Sequence, residues 1–72
     1  MSDVTLKQII GILPITNETF ITVHDAFDDN VYKNIMVKDI SENLLNKYVV
    51  RVYPPEHSLE NWYIYVTDRI YF

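Results

Sequence analysis

The sequence predicts a small α+β domain: an α-β-β-α-β-β two-layer sandwich with two short helices on one face of a four-stranded, mainly antiparallel sheet. Two stretches repeat apolar residues at helical spacing, and four stretches alternate apolar and polar residues as strands do. The links between successive strands are short, which favours antiparallel hairpins because parallel neighbours need long crossovers. Apolar helix faces and an apolar sheet face bury each other by packing as two layers. A chain of 72 residues fits one domain, residues 1–72.

The first half supplies a helix and a hairpin. "SDVTLKQIIGILP" places Leu6, Ile9, Ile10 and Leu13 on one helical face, and Pro14 ends the helix because it lacks an N–H donor. Ser2, Asp3 and Thr5 are candidate caps. The alternation in "TFITVH" (19–24) and in "VYKNIMVK" (31–38) predicts two strands, which the turn-forming "DAFDDN" (25–30) joins.

The second half repeats this order. "DISENLLNKY" (39–48) predicts a short helix, with Asp39 and Glu42 spaced as in a capping box. "YVVRVY" (48–53) predicts the third strand, which ends at two prolines that cannot donate to a ladder. The last strand is predicted from Trp62 to Val66, with an extension toward Ile70 after a bend.

Strand alternation divides the strand residues between two faces of the sheet. The face beneath the helices is expected to carry mostly β-branched residues: Ile21, Val23, Ile35, Val37, Val50, Val52, Trp62, Ile64 and Val66. The opposite, open face is expected to carry Phe20, Thr22, His24, Asn34, Met36, Val49, Arg51, Tyr53, Tyr63, Tyr65 and Thr67.

The open face is unusually aromatic, and its residue types are those enriched at interfaces. Three explanations compete: tyrosines that only stabilise cross-strand pairs, a homodimer that buries two open faces against each other, or a site for a foreign ligand or protein. Arg51 stands between two valines, where it could stack on tyrosine or bind a carboxylate or phosphate.

The composition limits the classes of molecule that this chain is expected to bind. The net charge is −4, which disfavours general nucleic-acid binding because phosphate backbones repel it. No apolar run approaches the length that spans a bilayer, no signal peptide is apparent, and a host bacterial cytoplasm is expected. A domain this small often needs extra stabilisation. Without cysteine, disulfides are excluded, so self-association is expected.

No catalytic, metal or cofactor site is predicted. The cluster Asp25, Asp28 and Asp29 lacks the spacing and the glycine of a calcium loop. His24 and His57 have no nucleophile with an orienting acid and an oxyanion hole, so a small hydrolase is the weakest hypothesis.

The segments "TLKQIIGIL", "ITVHDA", "NLLNKYVVRVYP" and "WYIYV" together resemble small proteins of bacteriophages and mobile elements from Gram-positive bacteria. The resemblance covers nearly the whole chain. It implies a counter-defence protein of the anti-CRISPR type, which acts by occupying host machinery.

The function predicted is therefore that of a small acidic, non-enzymatic inhibitor that binds a host protein or ribonucleoprotein complex. One alternative is a sponge that sequesters a nucleotide immune signal, with Tyr63, Tyr65 or Phe20 stacked on the base and Arg51 on the phosphate. Another is a small structural or adaptor homodimer. The predicted contact residues are Phe20, His24, Asp25, Asp28, Asp29, Arg51, Tyr53, Tyr63 and Tyr65.

Overall fold

The computed structural model describes residues 4–55 and 61–68. Its elements follow the predicted α-β-β-α-β-β order, with one 3-10 helix inserted. They are α1 (Leu6–Ile12), β1 (Phe20–Asp25), β2 (Asn30–Met36), the 3-10 helix (Val37–Asp39), α2 (Glu42–Leu45), β3 (Tyr48–Tyr53) and β4 (Trp62–Thr67). The predicted extension toward Ile70, the loop that contains His57, and the candidate caps Ser2 and Asp3 lie outside the described residues.

The four strands form one mixed sheet in the order β2-β1-β4-β3. β1 and β2 pair antiparallel, as do β3 and β4, so both predicted hairpins are present. The hairpins join through β1 and β4, which pair in parallel. Because this central pair connects the first strand of one hairpin with the second strand of the other, the two α-β-β halves are not related by a simple repeat.

The starts of the two helices differ in how well the sequence predicts them. Thr5 caps α1 in a reciprocal capping box with Gln8. The predicted box of Asp39 with Glu42 is wrong, because Asp39 ends the 3-10 helix and the next residue is extended. Ser41 caps α2 instead, accepting the Leu44 N–H at 3.3 Å, and α2 is shorter than the predicted 39–48.

The core lies between the helical layer and one face of the sheet. Its fully buried members on the central strands are Ile21, Val23, Ile64 and Val66. The helical segments and the edge strand β3 contribute the remaining buried residues, which are Leu6, Val37, Ile40, Leu44 and Val49. Ile35, Val52 and Trp62 pack against this core and are partly buried. The predicted phase of β4 is confirmed, since Ile64 and Val66 lie in the core and the alternating Tyr63 and Tyr65 do not.

A bulge in β3 overturns the predicted facing of two valines. Val49 pairs with Val66, but Arg51 rather than Val50 pairs with Tyr65. The extra residue reverses the alternation, so Val49 is buried at 6% exposure while Val50 is exposed at 51%. The prediction had placed Val50 in the core and Val49 on the open face, because strict alternation was assumed through the whole strand.

β2 also contains an extra residue. Ile21 pairs with Ile35 but Val23 pairs with Tyr32, and Asn34 takes a left-handed conformation with φ of 52°. Asparagine tolerates this region better than most residues.

No helix in the described ranges is long and apolar enough to cross a membrane.

Candidate binding face

The open face brings one histidine and three tyrosines into one connected group. Strand register sets their positions: His24 on β1 lies beside Tyr65 on β4, and Tyr63 on β4 lies beside Tyr53 on β3. We call His24, Tyr53, Tyr63 and Tyr65 the aromatic cluster. All four were predicted contact residues, and the sheet places all four together.

The rings of the aromatic cluster support one another. His24 stacks on Tyr65 with ring centres 4.6 Å apart and planes 30° apart. Tyr63 lies tilted against Tyr65 at 5.1 Å. Tyr53 meets both of these tyrosines edge-on, at 6.4 and 5.9 Å. These are the offset-stacked and edge-to-face arrangements that aromatic pairs favour, so the cluster forms a preorganised surface rather than four independent side chains.

Hydrogen bonds fix the His24 ring and tie the β1–β2 turn to it. Nδ1 lies 3.2 Å from the Tyr63 hydroxyl, and Nε2 lies 3.2 Å from Oδ1 of Asp29. With its hydrogen on Nε2, the neutral ring donates to Asp29 and accepts from Tyr63; the charged ring would donate to both. Asp29 has a φ of 59°, and its side chain remains 91% exposed. An accessible carboxylate therefore stands at one margin of the aromatic cluster.

The surroundings of Tyr63 change the acidity of its hydroxyl. Loss of hydration raises the pKa of Tyr63 above its ordinary value of 10.0, and the hydrogen bond and charge interaction with Tyr65 raise it further. The Tyr63 hydroxyl is therefore neutral across the physiological range and serves as a hydrogen-bonding group.

The open face carries a cation at its opposite margin. Arg51 lies beside Tyr65 on β3, is exposed, and makes no ion pair within the described ranges. Phe20 pairs with Met36 near the other end of the face and is half exposed. Thr22 and Thr67 share this side of the sheet but are buried.

The predicted acidic contact loop divides into two parts. Asp25 is only 1% exposed, and its carboxylate accepts the N–H groups of Phe27 and Asp28 and pairs with Lys47 at 3.2 Å. Lys47 also pairs with Asp68. Asp25 therefore holds the turn together and is closed to an external partner. Asp28 and Asp29 remain exposed and available.

The contact between His24 and Asp29 was not predicted from the sequence. The available signal was the turn composition "DAFDDN", since aspartate tolerates the left-handed conformation that folds Asp29 back over the strand end. His24 and Asp25, adjacent in the chain, lie on opposite faces as expected. Within residues 4–55 and 61–68, no group of three potential metal-ligating side chains comes together.

The geometry of the open face is suited to binding another molecule, because flat rings with polar tips lie between the accessible Asp29 carboxylate and the accessible Arg51 guanidinium. No protein-family model, curated protein or solved structure matches this chain.

Proposed function

We propose that this chain is a small, non-enzymatic binding protein that recognises a partner protein through the aromatic cluster. The observation that carries the proposal is the contact network of His24, Tyr53, Tyr63 and Tyr65 on the sheet face that the helices leave uncovered. Tyrosine and arginine are the residue types on which binding energy concentrates at interfaces.

Preorganisation supports a binding role over simple cross-strand pairing. Binding costs conformational entropy when side chains must be ordered. Here His24 is already held by Tyr63 and Asp29, and its ring is stacked on Tyr65. A partner would therefore meet a surface whose central side chains need little further ordering.

The proposed role is that of a counter-defence inhibitor, which acts in a bacterial host cytoplasm by occupying a host protein or ribonucleoprotein complex. The resemblance to small phage proteins supports this role, and so does the charge. A net charge of −4 favours approach to a basic surface, and so do exposed Asp28 and Asp29 in the turn that meets the aromatic cluster through Asp29.

Sequestration of a nucleotide signal is a second candidate, because Arg51 lies beside Tyr65 and makes no ion pair within residues 4–55 and 61–68. A phosphate could pair with the guanidinium while a base stacks on a ring. The exposed Asp29 carboxylate and the stacking of His24 on one side of Tyr65 disfavour this ligand. A thermal-shift titration with cyclic dinucleotides tests it, and an unchanged melting temperature would remove this candidate.

The test of the protein-binding proposal is capture from a bacterial lysate on immobilised wild type, Tyr65→Asp and Asn43→Asp chains. The two variants change the charge equally, but Asn43 is exposed on α2, in the layer away from the open face. We expect one partner to be retained by wild type and Asn43→Asp and lost by Tyr65→Asp. Equal retention by all three chains, or retention of nothing at low and high salt, would contradict the proposal.

A further inference from the structure

One carboxylate and one guanidinium of the open face lie in one row across the sheet. Strand register places Val31, His24, Tyr65 and Arg51 side by side on β2, β1, β4 and β3. The Asp29 carboxylate joins this row through its 3.2 Å contact with His24. A carboxylate thus stands at β1 and a guanidinium at β3, which are two strand spacings apart, or about 10 Å.

We propose that the open face binds a second copy of this chain, with a two-fold axis that runs parallel to the strands above β4. Each Arg51 then meets Asp29 of the other copy. The inference rests on the proposed function only in requiring that the aromatic cluster be a protein-binding surface, and it names the partner as the chain itself.

Electrostatics selects this axis over the other simple two-fold arrangement. An axis that runs across the strands would place β3 on β3, so that Arg51 would face Arg51 and the acidic turn would face its own copy. An axis along the strands places β3 over β1, so that unlike charges meet twice by symmetry. Like charges opposed across an interface disfavour association, while complementary charges set the orientation.

Among the residues that the structure describes, those at the centre of this arrangement are tyrosines rather than charged side chains. The axis passes over β4, where Tyr63 and Tyr65 of the two copies would meet. The raised pKa of Tyr63 keeps its hydroxyl neutral there, and tyrosine offers both an apolar ring and a hydrogen-bonding tip. Arg51 and Asp29 form the margins, where charged residues are ordinarily found at interfaces.

The size of the face predicts a weak, exchangeable dimer. With the axis above β4, three strands of each copy overlap, and strands of about six residues then cover roughly 20 by 14 Å, or about 280 Å² per copy. The total of about 560 Å² is below the 1,200–2,000 Å² of stable interfaces. We therefore expect self-association in the micromolar range or weaker, which a foreign partner with a larger contact area could displace.

Sedimentation velocity across a concentration series tests the inference with R51E, D29K and their equimolar mixture. Each variant alone places like charges at both margins of the dimer, so we expect its dissociation constant to rise at least tenfold. In the mixed dimer, both ion pairs are restored with their polarity exchanged at one margin, so the mixture should associate more strongly than either variant alone.

Two further sets of samples complete the experiment: neutral variants of both residues, and a mixture of wild type with R51E. Because Asp29 has a positive φ, D29K could lose stability; D29N suits that backbone better, and with R51Q it removes charge without reversal. We expect both neutral variants to lie between wild type and the charge reversals. Wild type mixed with R51E tests the β3-on-β3 arrangement. That arrangement predicts that this pair associates more strongly than wild type alone, because unlike charges then meet at position 51, and that result would overturn the proposed axis.

A wild-type chain that stays monomeric up to millimolar concentration would overturn the second copy as the partner. So would a mixture of R51E and D29K that associates no better than its components. Neither outcome bears on the lysate experiment, in which Tyr65→Asp and Asn43→Asp decide the proposed function.

Discussion

The two faces of this sheet are built from neighbouring residues with opposite roles. On β4, Ile64 and Val66 are fully buried in the core, while Tyr63 and Tyr65 remain partly exposed and contact one another and His24. The covered face removes aliphatic side chains from water, which stabilises the fold by about 1.5–3 kcal/mol per side chain. The rings of the open face contact one another instead of filling the core. They can therefore bind a partner while they contribute little to the stability of the fold.

We expect the largest difference in stability between alanine variants of Ile64 and of its neighbour Tyr65. We expect Ile64→Ala to lower the free energy of unfolding by about 2–5 kcal/mol, because it leaves a cavity in a fully buried position. Tyr65→Ala should cost only about 1–2 kcal/mol, since it removes cross-strand contacts worth roughly 0.2–1 kcal/mol each. Urea denaturation followed by circular dichroism measures both.

Binding measurements on Ile64→Ala and Tyr65→Ala test the difference between the covered face and the open face a second time. Ile64→Ala molecules that remain folded should keep the open face intact, while Tyr65→Ala should lose both partner capture and self-association. If Tyr65→Ala proved as destabilising as Ile64→Ala, the open face would be part of the structural core and the contrast between the faces would fail.

An intermediate effect should distinguish Val49 from Val50. Val49→Ala removes two buried methyl groups, so we expect a loss of about 1.5–2 kcal/mol at roughly 0.8 kcal/mol per group. Val50→Ala changes an exposed bulge residue and should stay within about 0.5 kcal/mol of wild type. Thermal or urea unfolding of the two variants checks this. The reverse order would show that β3 is regular and that strict alternation holds.

The smallest effect concerns Tyr63 and alkaline pH. Its pKa in the folded chain is raised above the ordinary value of 10.0, so the folded state keeps a proton that the unfolded chain releases. Its contribution to stability is therefore complete below pH 10 and is lost as the pH rises through the folded pKa. Tyr63→Phe lacks this group, so the stability difference between wild type and variant should narrow above pH 10.

Urea midpoints measured from pH 8 to pH 11 on both chains test this prediction, because other groups titrate in both and cancel in the difference. A difference that stays constant over that range would show that the cluster does not hold the Tyr63 proton.

The most successful predictions rested on local rules. The alternation of "WYIYVT" in β4 sets which side chains lie under the helices, since a strand repeats every two residues. Thr5 and Gln8 satisfy each other's groups within one helical turn. The placement of His24, Tyr53, Tyr63 and Tyr65 on one face followed from the same alternation, because the bulge at Val50 leaves the predicted facing of Tyr53 unchanged.

The errors and omissions depend on residues that are distant in the chain. Around the bulge at Val50, β3 pairs with β4 on one side, and the Val49 N–H also donates to the Val4 carbonyl in the segment before α1. The buried Asp25 carboxylate pairs with Lys47, which lies between α2 and β3 and is distant from Asp25 in the chain.

By itself the sequence determined the element order, the covered face of β4 and the aromatic character of the other face, because helix and strand periodicities are properties of neighbouring residues. Only the tertiary structure decided the parallel pairing of β1 with β4, and with it the stacking of His24 on Tyr65. That pairing joins segments about 40 residues apart, and such contacts are selected by packing of the whole core rather than by any local preference.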